Sequence, residues 1–373
     1  MKERVLVTGG LGFIGRHLCD ELRQAGYAVR VLDSLIDQVH GGAPPRAPDG
    51  VELIRADVRD AAAVNRAIQG VSGIFHLAAE VGVGQSMYEI DRYVGANDFG
   101  TAVLLQALVD ESARRSVRRI VVASSMSVYG EGLYRDAQGA RVENARRDAS
   151  LVRHGQWEVA GADGVPLTPM PTDENKPVDL ASIYALTKYA QERAVLIFGE
   201  AYGIDAVALR LFNVFGPGQA LSNPYTGVLA NFASRIINGQ PPLIFEDGEQ
   251  RRDFVHVRDV ARAFRAAMER PAVAGKVINV GSGRSYSVSQ VASLLAEAMG
   301  STIRPEIMRK ARAGDIRNCF ADIGRARELL GFAPAHPLEE SLGELADWVA
   351  TAEAATDRAA EMRQALEARG LVA

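Results

Sequence analysis

An apolar run from Arg4 to Thr8 breaks into Gly9-Gly10-Leu11-Gly12-Phe13-Ile14-Gly15 and passes at once into a segment of helical periodicity. Three glycines at this spacing let the chain turn sharply and let an anionic ligand approach the backbone. The amide groups and dipole of the helix N-terminus then face that charge. Taken alone, the same spacing also suits a plain strand-to-helix junction. The chain around it narrows the choice. Further β-branched runs at 28–33, 51–56, 73–78, 118–124 and 206–212 alternate with helical patterns that begin near Phe13, Ala61, Asn97 and Ser182. Such alternation predicts βαβ units and an α/β fold, a Rossmann-type doubly wound parallel sheet.

The alternation breaks twice. Residues 131–179 are polar, rich in glycine and punctuated by proline, and read as an insertion or lid within the first domain, 1–215. After about residue 216 the pattern is irregular, with a further strand at 276–281 and a helix at 288–299, so 216–337 is expected to form mainly a smaller substrate-binding lobe. Residues 338–373, rich in Ala, Glu and Arg, read as one or two C-terminal surface helices without chemistry of their own.

Composition excludes several functions. Among 373 residues the formal net charge is -4, so the chain lacks the basic excess with which nucleic-acid-binding domains neutralise phosphates. Two cysteines three hundred residues apart, Cys19 and Cys319, suggest neither a disulfide framework nor a metal site, and suit a reducing cytoplasm. The first apolar run starts at Val5, leaving no room for a signal peptide. No apolar stretch reaches the ~18 residues of a membrane span. Small-molecule partners are expected.

Eighteen residues after Gly15 the second strand ends in Leu32-Asp33-Ser34, where a carboxylate can bond adenosine ribose hydroxyls. Asp33 would repel a 2′-phosphate and no Arg follows closely to receive one, which favours NAD over NADP. Asp57-Val58 follows the third strand and is a candidate for the adenine amine, or an exposed turn. Further along, Tyr184 and Lys188 stand four apart in Ser182-Ile183-Tyr184-Ala185-Leu186-Thr187-Lys188, on one face at a helix start. A phenol is a poor base at pH 7, but a neighbouring ammonium and a positive nicotinamide ring favour its phenolate, which could take a proton from a sugar hydroxyl. Ser125, in Ser124-Ser125-Met126-Ser127-Val128-Tyr129-Gly130 at a strand end, lies where ligand crevices open in such sheets.

With these motifs in this order, the chain resembles the extended short-chain dehydrogenase/reductase family, specifically its nucleotide-sugar epimerases and dehydratases, over about residues 4–335. The resemblance implies that Gly9, Gly12, Phe13, Ile14 and Gly15 hold the NAD pyrophosphate, Asp33 the ribose, and Asp57 and Val58 the adenine. Leu77, Ala78 and Ala79, after His76, would run beneath the cofactor. Ser125, Tyr184 and Lys188 match the family's catalytic set, and Lys188 would also reach the nicotinamide ribose. Asn213 would contact the sugar diphosphate, and Arg252, Arg312 and Asp315 the phosphate and nucleotide ribose of a nucleotide-diphosphate sugar. Guanidinium groups suit that task because they bind phosphate oxygens bidentately. The helices at 97–109 and 182–198 correspond to those through which family members pair, so a homodimer is expected.

Relatives that dehydrate across C5 and C6 carry Asp and Glu directly after the catalytic Ser or Thr, and the sugar-acid decarboxylases keep a Glu at the second of these positions. Here Met126 and Ser127 stand there, and neither transfers a proton usefully at neutral pH. Epimerisation at C4 through a transient 4-keto sugar needs only a base and a hydride acceptor, and is the expected reaction. Epimerisation at C3 or C5 would need a second acid/base pair, for which His76 and His256 are the histidines near motif positions. A non-catalytic NAD-binding role is disfavoured because Ser125, Tyr184 and Lys188 are all present. Around 81–88 and 221–227 the chain is similar to bacterial epimerases acting on dTDP-L-rhamnose or related 6-deoxy sugars at C4. Those enzymes often carry paired cysteines in the segment corresponding to 131–179; here 159–164 has none, so no metal is expected.

Overall fold

The computed structural model describes residues 2–40, 46–219, 227–312, 314–351 and 364–372. Seven strands form one parallel sheet: β1 (Arg4–Thr8), β2 (Ala28–Asp33), β3 (Glu52–Arg55), β4 (Gly73–His76), β5 (Arg119–Ser125), β6 (Asp205–Leu211) and β7 (Lys276–Val280). Their order across the sheet is β7-β6-β5-β4-β1-β2-β3. All six pairings are parallel, with Val5 opposite Val29 on one side of β1 and opposite Gly73 on the other. The direction of winding reverses between β1 and β4. In open α/β sheets the ligand crevice opens at that point, outside the carboxyl ends of the strands. This is the Rossmann-type doubly wound fold expected from the alternating runs.

Strand side chains alternate between the faces, so each strand feeds two cores. Val5 and Val7 join Val29, Val31, Phe75 and Val121 in the core beneath α1 (Phe13–Gln24), which contributes Leu18 and Leu22. Leu6, Leu32, Ile74 and Ile120 point the other way. There they meet Val64 of α2 (Ala61–Ala67), Leu104 of α3 (Gly100–Ala107) and Val195 of α4 (Ile183–Tyr202). A π-helical turn, Val94–Phe99, leads into α3.

Beyond β6 the chain builds a third core and then returns to the sheet. The helix α5 (Val228–Ile237) packs Leu229, Phe232 and Ile236 in this third core. Next comes α6 (Val257–Glu269), whose Val260 and Phe264 share the α1 face of the sheet, and then β7 at the sheet edge. Val291 and Leu295 of α7 (Val288–Ala298) complete the third core with Leu338, Leu342, Leu345 and Val349 of α8 (Leu338–Thr351). The structure therefore corrects the reading of the C-terminal stretch as surface helices: α8 is amphipathic and closes a core. Its Ala- and Glu-rich composition hid four core positions spaced by three or four residues.

Residues 131–179 form a small antiparallel sheet of Leu133–Arg135, Arg141–Val142 and Thr168–Met170 over Tyr134, Ala145, Val159 and Leu167. Buried charges tie it to the C-terminal lobe. Glu131 accepts hydrogen bonds from the Arg317 amide at 2.7 Å and from Arg147 Nε at 3.1 Å. The Arg317 side chain is 1% exposed and pairs with Glu158, Glu246 and Asp247. Removing one partner from such a set leaves an uncompensated buried charge. Cys19 and Cys319 are both buried and free.

His76 ends β4 fully buried, its Nδ1 2.8 Å from Thr8 Oγ1 and its Nε2 2.9 Å from Thr101 Oγ1. Burial, with Lys188 adding to it, depresses its pKa to about 3 from the ordinary 6.5. Between these two values an unfolded chain binds a proton that the native imidazole refuses. Stability from this group is therefore complete above pH 6.5 and is lost as the pH falls toward 3. The expected slope is at most about 1.4 kcal/mol per pH unit. Urea titrations of the protein and of His76→Gln at pH 6.5 to 4 check this: the variant should lose one proton's share of the acid slope, and equal slopes would contradict it.

Candidate active site

The carboxyl ends of β1, β2, β4 and β5 open onto one cavity of about 630 Å³, within the ~300–1,000 Å³ of small-molecule sites. At one end stands the glycine turn. Gly9 has φ +68°, and a Cβ there would lie 2.9 Å from the Ala78 amide nitrogen. At Gly15 a Cβ would come within 2.3 Å of the Gly9 carbonyl oxygen. The fold itself demands these two glycines. Gly12 differs: its backbone suits any residue, φ -68° and ψ 176°, and a Cβ would meet only the Gly9 oxygen, at 3.3 Å. Gly12 is also the N-cap of α1 and supplies no side-chain cap. The first amides of α1 thus lack a capping side chain and face the cavity lined by Phe13 and Ile14, a cradle suited to a pyrophosphate.

Asp33 lies 8% exposed beside this turn. Its Oδ2 accepts from the Leu11 amide and its Oδ1 from the Leu35 amide, both at 2.9 Å. Burial alone would raise its pKa, but His40 and the two amides together bring it below the usual carboxylate value. It is an ionised acceptor at the cavity edge. Asp57 also lines the cavity, yet Arg59 already engages it through Nε at 2.9 Å and Nη2 at 2.7 Å, and this pairing lowers its pKa. Val58, Leu77, Ala78 and Ala79 complete the wall.

Ser125, Tyr184 and Lys188 all line this cavity, and a side-chain hydrogen bond joins Tyr184 to Ser125. Ser125 caps the short turn Met126–Tyr129, accepting from the Ser127 amide at 3.2 Å and the Ser127 hydroxyl at 2.9 Å. Tyr184 is placed by the start of α4: Ser182 caps that helix through the Ala185 amide, and the Tyr184 amide donates to Ser86 Oγ at 3.0 Å. Its ring meets Tyr93 edge-on at 6.4 Å. Lys188 follows one turn later, 2% exposed, with Nζ donating to Gln191 Oε1 at 2.6 Å.

The neighbouring ammonium alone does not hold the phenol down. Burial dominates both groups. It raises the Tyr184 pKa, against the opposing hydrogen bond with Ser125. It lowers the Lys188 pKa to about 7, against the pull of Asp98 and Glu192. A further positive charge beside Tyr184 is needed to favour its phenolate.

The remaining predicted residues line the opposite wall. Asn213 opens a short strand paired with Phe254–His256, and its Oδ1 is buried with no hydrogen-bond partner among the described residues, an acceptor suited to a ligand. Arg252 is anchored through Nη1 on the Arg317 carbonyl at 2.9 Å and through Nη2 on the Ile316 carbonyl at 2.5 Å. Arg312 grips Asp315 with two hydrogen bonds, of 2.8 and 3.1 Å, and stacks 4.5 Å over the Phe245 ring. Leu243 and Phe245 line the cavity as well. His76 and His256 do not line it, and the similarity segment 221–227 lies outside the described residues except for Gly227. Leu366 and Leu371 were not foreseen in the sequence: both line the cavity although they follow the Ala-rich C-terminal stretch. Among the described residues no cluster of side chains could hold a metal ion, and no helix is long and apolar enough to cross a membrane.

Comparison with known proteins agrees with this architecture. Residues 5–281 match the model of the "NAD dependent epimerase/dehydratase family". A dTDP-L-rhamnose 4-epimerase from Burkholderia thailandensis is 35% identical over 352 residues, 93% of this chain and 95% of that protein. The solved UDP-N-acetylglucosamine 4-epimerase of Methanobrevibacter ruminantium superposes with a TM-score of 0.77 at 31% identity, covering 94% of this chain and 99% of the other. The UDP-glucose 4-epimerase of Thermus thermophilus, solved with NAD, superposes with a TM-score of 0.74 at 28% identity, over 94% of this chain and all of the other. With its glycine cradle, Asp33 and the Ser125, Tyr184 and Lys188 cluster on one cavity, the chain belongs to the NAD-dependent epimerase/dehydratase family.

Proposed function

We propose that the protein interconverts the C4 epimers of a nucleotide-diphosphate sugar, with dTDP-L-rhamnose or a related dTDP-6-deoxyhexose as substrate. The observation that carries this reading is the convergence of Ser125, Tyr184 and Lys188 on the cavity whose far end is the uncapped N-terminus of α1. Bound NAD supplies reversible oxidation at C4 and is regenerated within each turnover. Gly9, Gly12 and Gly15 leave room for its pyrophosphate, Asp33 accepts from its adenosine ribose, and Val58 and Leu77 to Ala79 flank it. Tyr184 Oη takes the C4 hydroxyl proton and returns it, while Ser125 Oγ bonds the same sugar oxygen. Lys188 and the positive nicotinamide ring together would favour the tyrosinate. Asn213 Oδ1 accepts a hydrogen bond from the substrate, and Arg252, Arg312 and Asp315 hold the nucleotide half.

Dehydration and decarboxylation find no support where Met126 and Ser127 stand. Epimerisation at C3 or C5 lacks a histidine base, because His76 and His256 are absent from the cavity wall. Incubation with dTDP- and UDP-sugars in deuterated water, without added cofactor, tests the proposal by proton NMR. A C4 epimer free of solvent deuterium is expected. Deuterium at C3 or C5, or no epimer from any sugar, would overturn it.

The assembly proposed is a homodimer through α3 and α4. Ile90, Val94, Phe99, Leu186 and Ile197 on and beside these helices are exposed large hydrophobics, Phe99 and Ile197 each to 56%. Isolated monomers rarely present so many on adjoining helices. Sedimentation should find a dimer for the protein and a monomer for the double variant Phe99→Glu, Ile197→Glu; a monomeric parent protein would refute it. The cytoplasm is the proposed compartment, in keeping with two free, buried thiols.

A further inference from the structure

The C-terminal segment 364–372 returns to the cavity, where Leu366 and Leu371 join the lining, and is held there at three places. Arg312 and Val372 form an antiparallel backbone bridge. The Arg369 guanidinium stacks 4.4 Å over the Tyr88 ring. Lys310 Nζ lies 3.1 Å from Glu367. Between these anchors Leu366 is 2% exposed and abuts Gly84, where an added Cβ would meet its methyl groups at 3.5 and 3.7 Å.

Short contacts connect this position to the start of α4, which carries Tyr184. The segment 82–88, which Leu366 covers, also supplies Ser86, whose hydroxyl accepts from the Tyr184 amide. Gly314, two residues from Arg312, stands against Val83 and the Ser182 side chain, with an added Cβ 3.7 and 3.9 Å from them. The C-terminal segment therefore lies against residues 84–88, beside the start of α4, and against Lys310 and Arg312. The side chains it contributes to the lining are Leu366 and Leu371, both hydrocarbon.

We infer that residues 364–372 form a wall of the sugar subsite, and that Leu366 and Leu371 set a preference for a sugar with a methyl group over one with a hydroxymethyl group at that wall. The inference rests on the C4-epimerase reading for the identity of the substrate, but the wall acts through binding. A methyl group against two leucines leaves water at little cost, whereas a hydroxyl pressed there loses its hydration and meets no donor or acceptor on these two side chains. The discrimination expected is roughly tenfold or more.

The test uses the full chain, Leu366→Ser, Leu371→Ser, and a chain ending after residue 363. Two readouts are taken for a dTDP-6-deoxyhexose and for the matching dTDP-hexose: affinity by calorimetry, and kcat/KM for epimerisation. The unaltered protein should favour the deoxy sugar in both, and Leu366→Ser should cut that preference about tenfold while leaving the content of bound NAD unchanged. The shortened chain should also lose it; where that chain fails to fold by circular dichroism, the two point variants decide. Equal affinity for the two sugars in the unaltered protein, or an unchanged ratio in both serine variants, would overturn the inference. Absence of epimerisation would instead refute the C4-epimerase reading, while the affinity ratios still decide the role of the wall.

Discussion

Tyr184→Phe is expected to lower kcat by about 10²–10⁴-fold, the range for losing a positioned acid/base group, while NAD and the nucleotide sugar still bind. The substitution removes a hydroxyl and leaves the ring, whose edge-on contact with Tyr93 and place after the Ser182 cap hold the start of α4. The fold should consequently survive, with an unchanged melting temperature. Three measurements check this together: turnover, fluorescence of bound NADH, and thermal unfolding. Retention of full activity would show that another group moves the C4 proton. A further consequence follows from Lys188. With its pKa lowered to about 7 by burial, its ammonium form declines as the pH rises through neutrality, so its support for the tyrosinate weakens on the alkaline side.

Gly15→Ala is expected to weaken NAD binding about 5- to 150-fold, because the new methyl would lie 2.3 Å from the Gly9 carbonyl oxygen and 2.7 Å from Gly10 Cα. Both are backbone atoms, so no side chain can rotate away and α1 must lift from the turn. Overpacking of this kind costs about 1–3 kcal/mol, here concentrated where α1 meets the pyrophosphate cradle. Gly12→Ala supplies the contrast. A Cβ at Gly12 asks the Gly9 oxygen to give by only a few tenths of an ångström, so a large loss of affinity there reports the ligand's own approach to α1. Calorimetric titration of NAD into the cofactor-stripped variants separates the cases. Unaltered binding in Gly15→Ala would mean that the turn has more freedom than its contacts indicate.

Much of this molecule was legible in one dimension because its determinants are local. A strand buried on both faces must be apolar along its length, a turn crowded by its neighbours must be glycine, and a Tyr and a Lys four apart must share a helical face. Such rules acted at Arg4–Thr8, at Gly9 and Gly15, and at Tyr184 and Lys188, and the parallel sheet and the placement of these residues around one cavity followed their positions. Motif order extended this to Asn213 and Arg312, far along the chain.

Other properties depend on partners that no local pattern names. The pKa values of Tyr184 and Lys188 are governed by burial, which is the summed proximity of segments far apart in the chain, so spacing alone does not give their balance. Asp57 carries its ion pair with Arg59 at the place expected to meet the adenine. The C-terminal stretch looked like solvated helix from its alanines and glutamates, yet α8 closes a core with Leu338, Leu342, Leu345 and Val349. Leu366 reaches the cavity only because Arg369 stacks on Tyr88 and Val372 bridges to Arg312. Hydrophobic periodicity tells which side of an element seeks cover; which distant surface provides it is decided by long-range packing, and here that packing shapes one wall of the cavity.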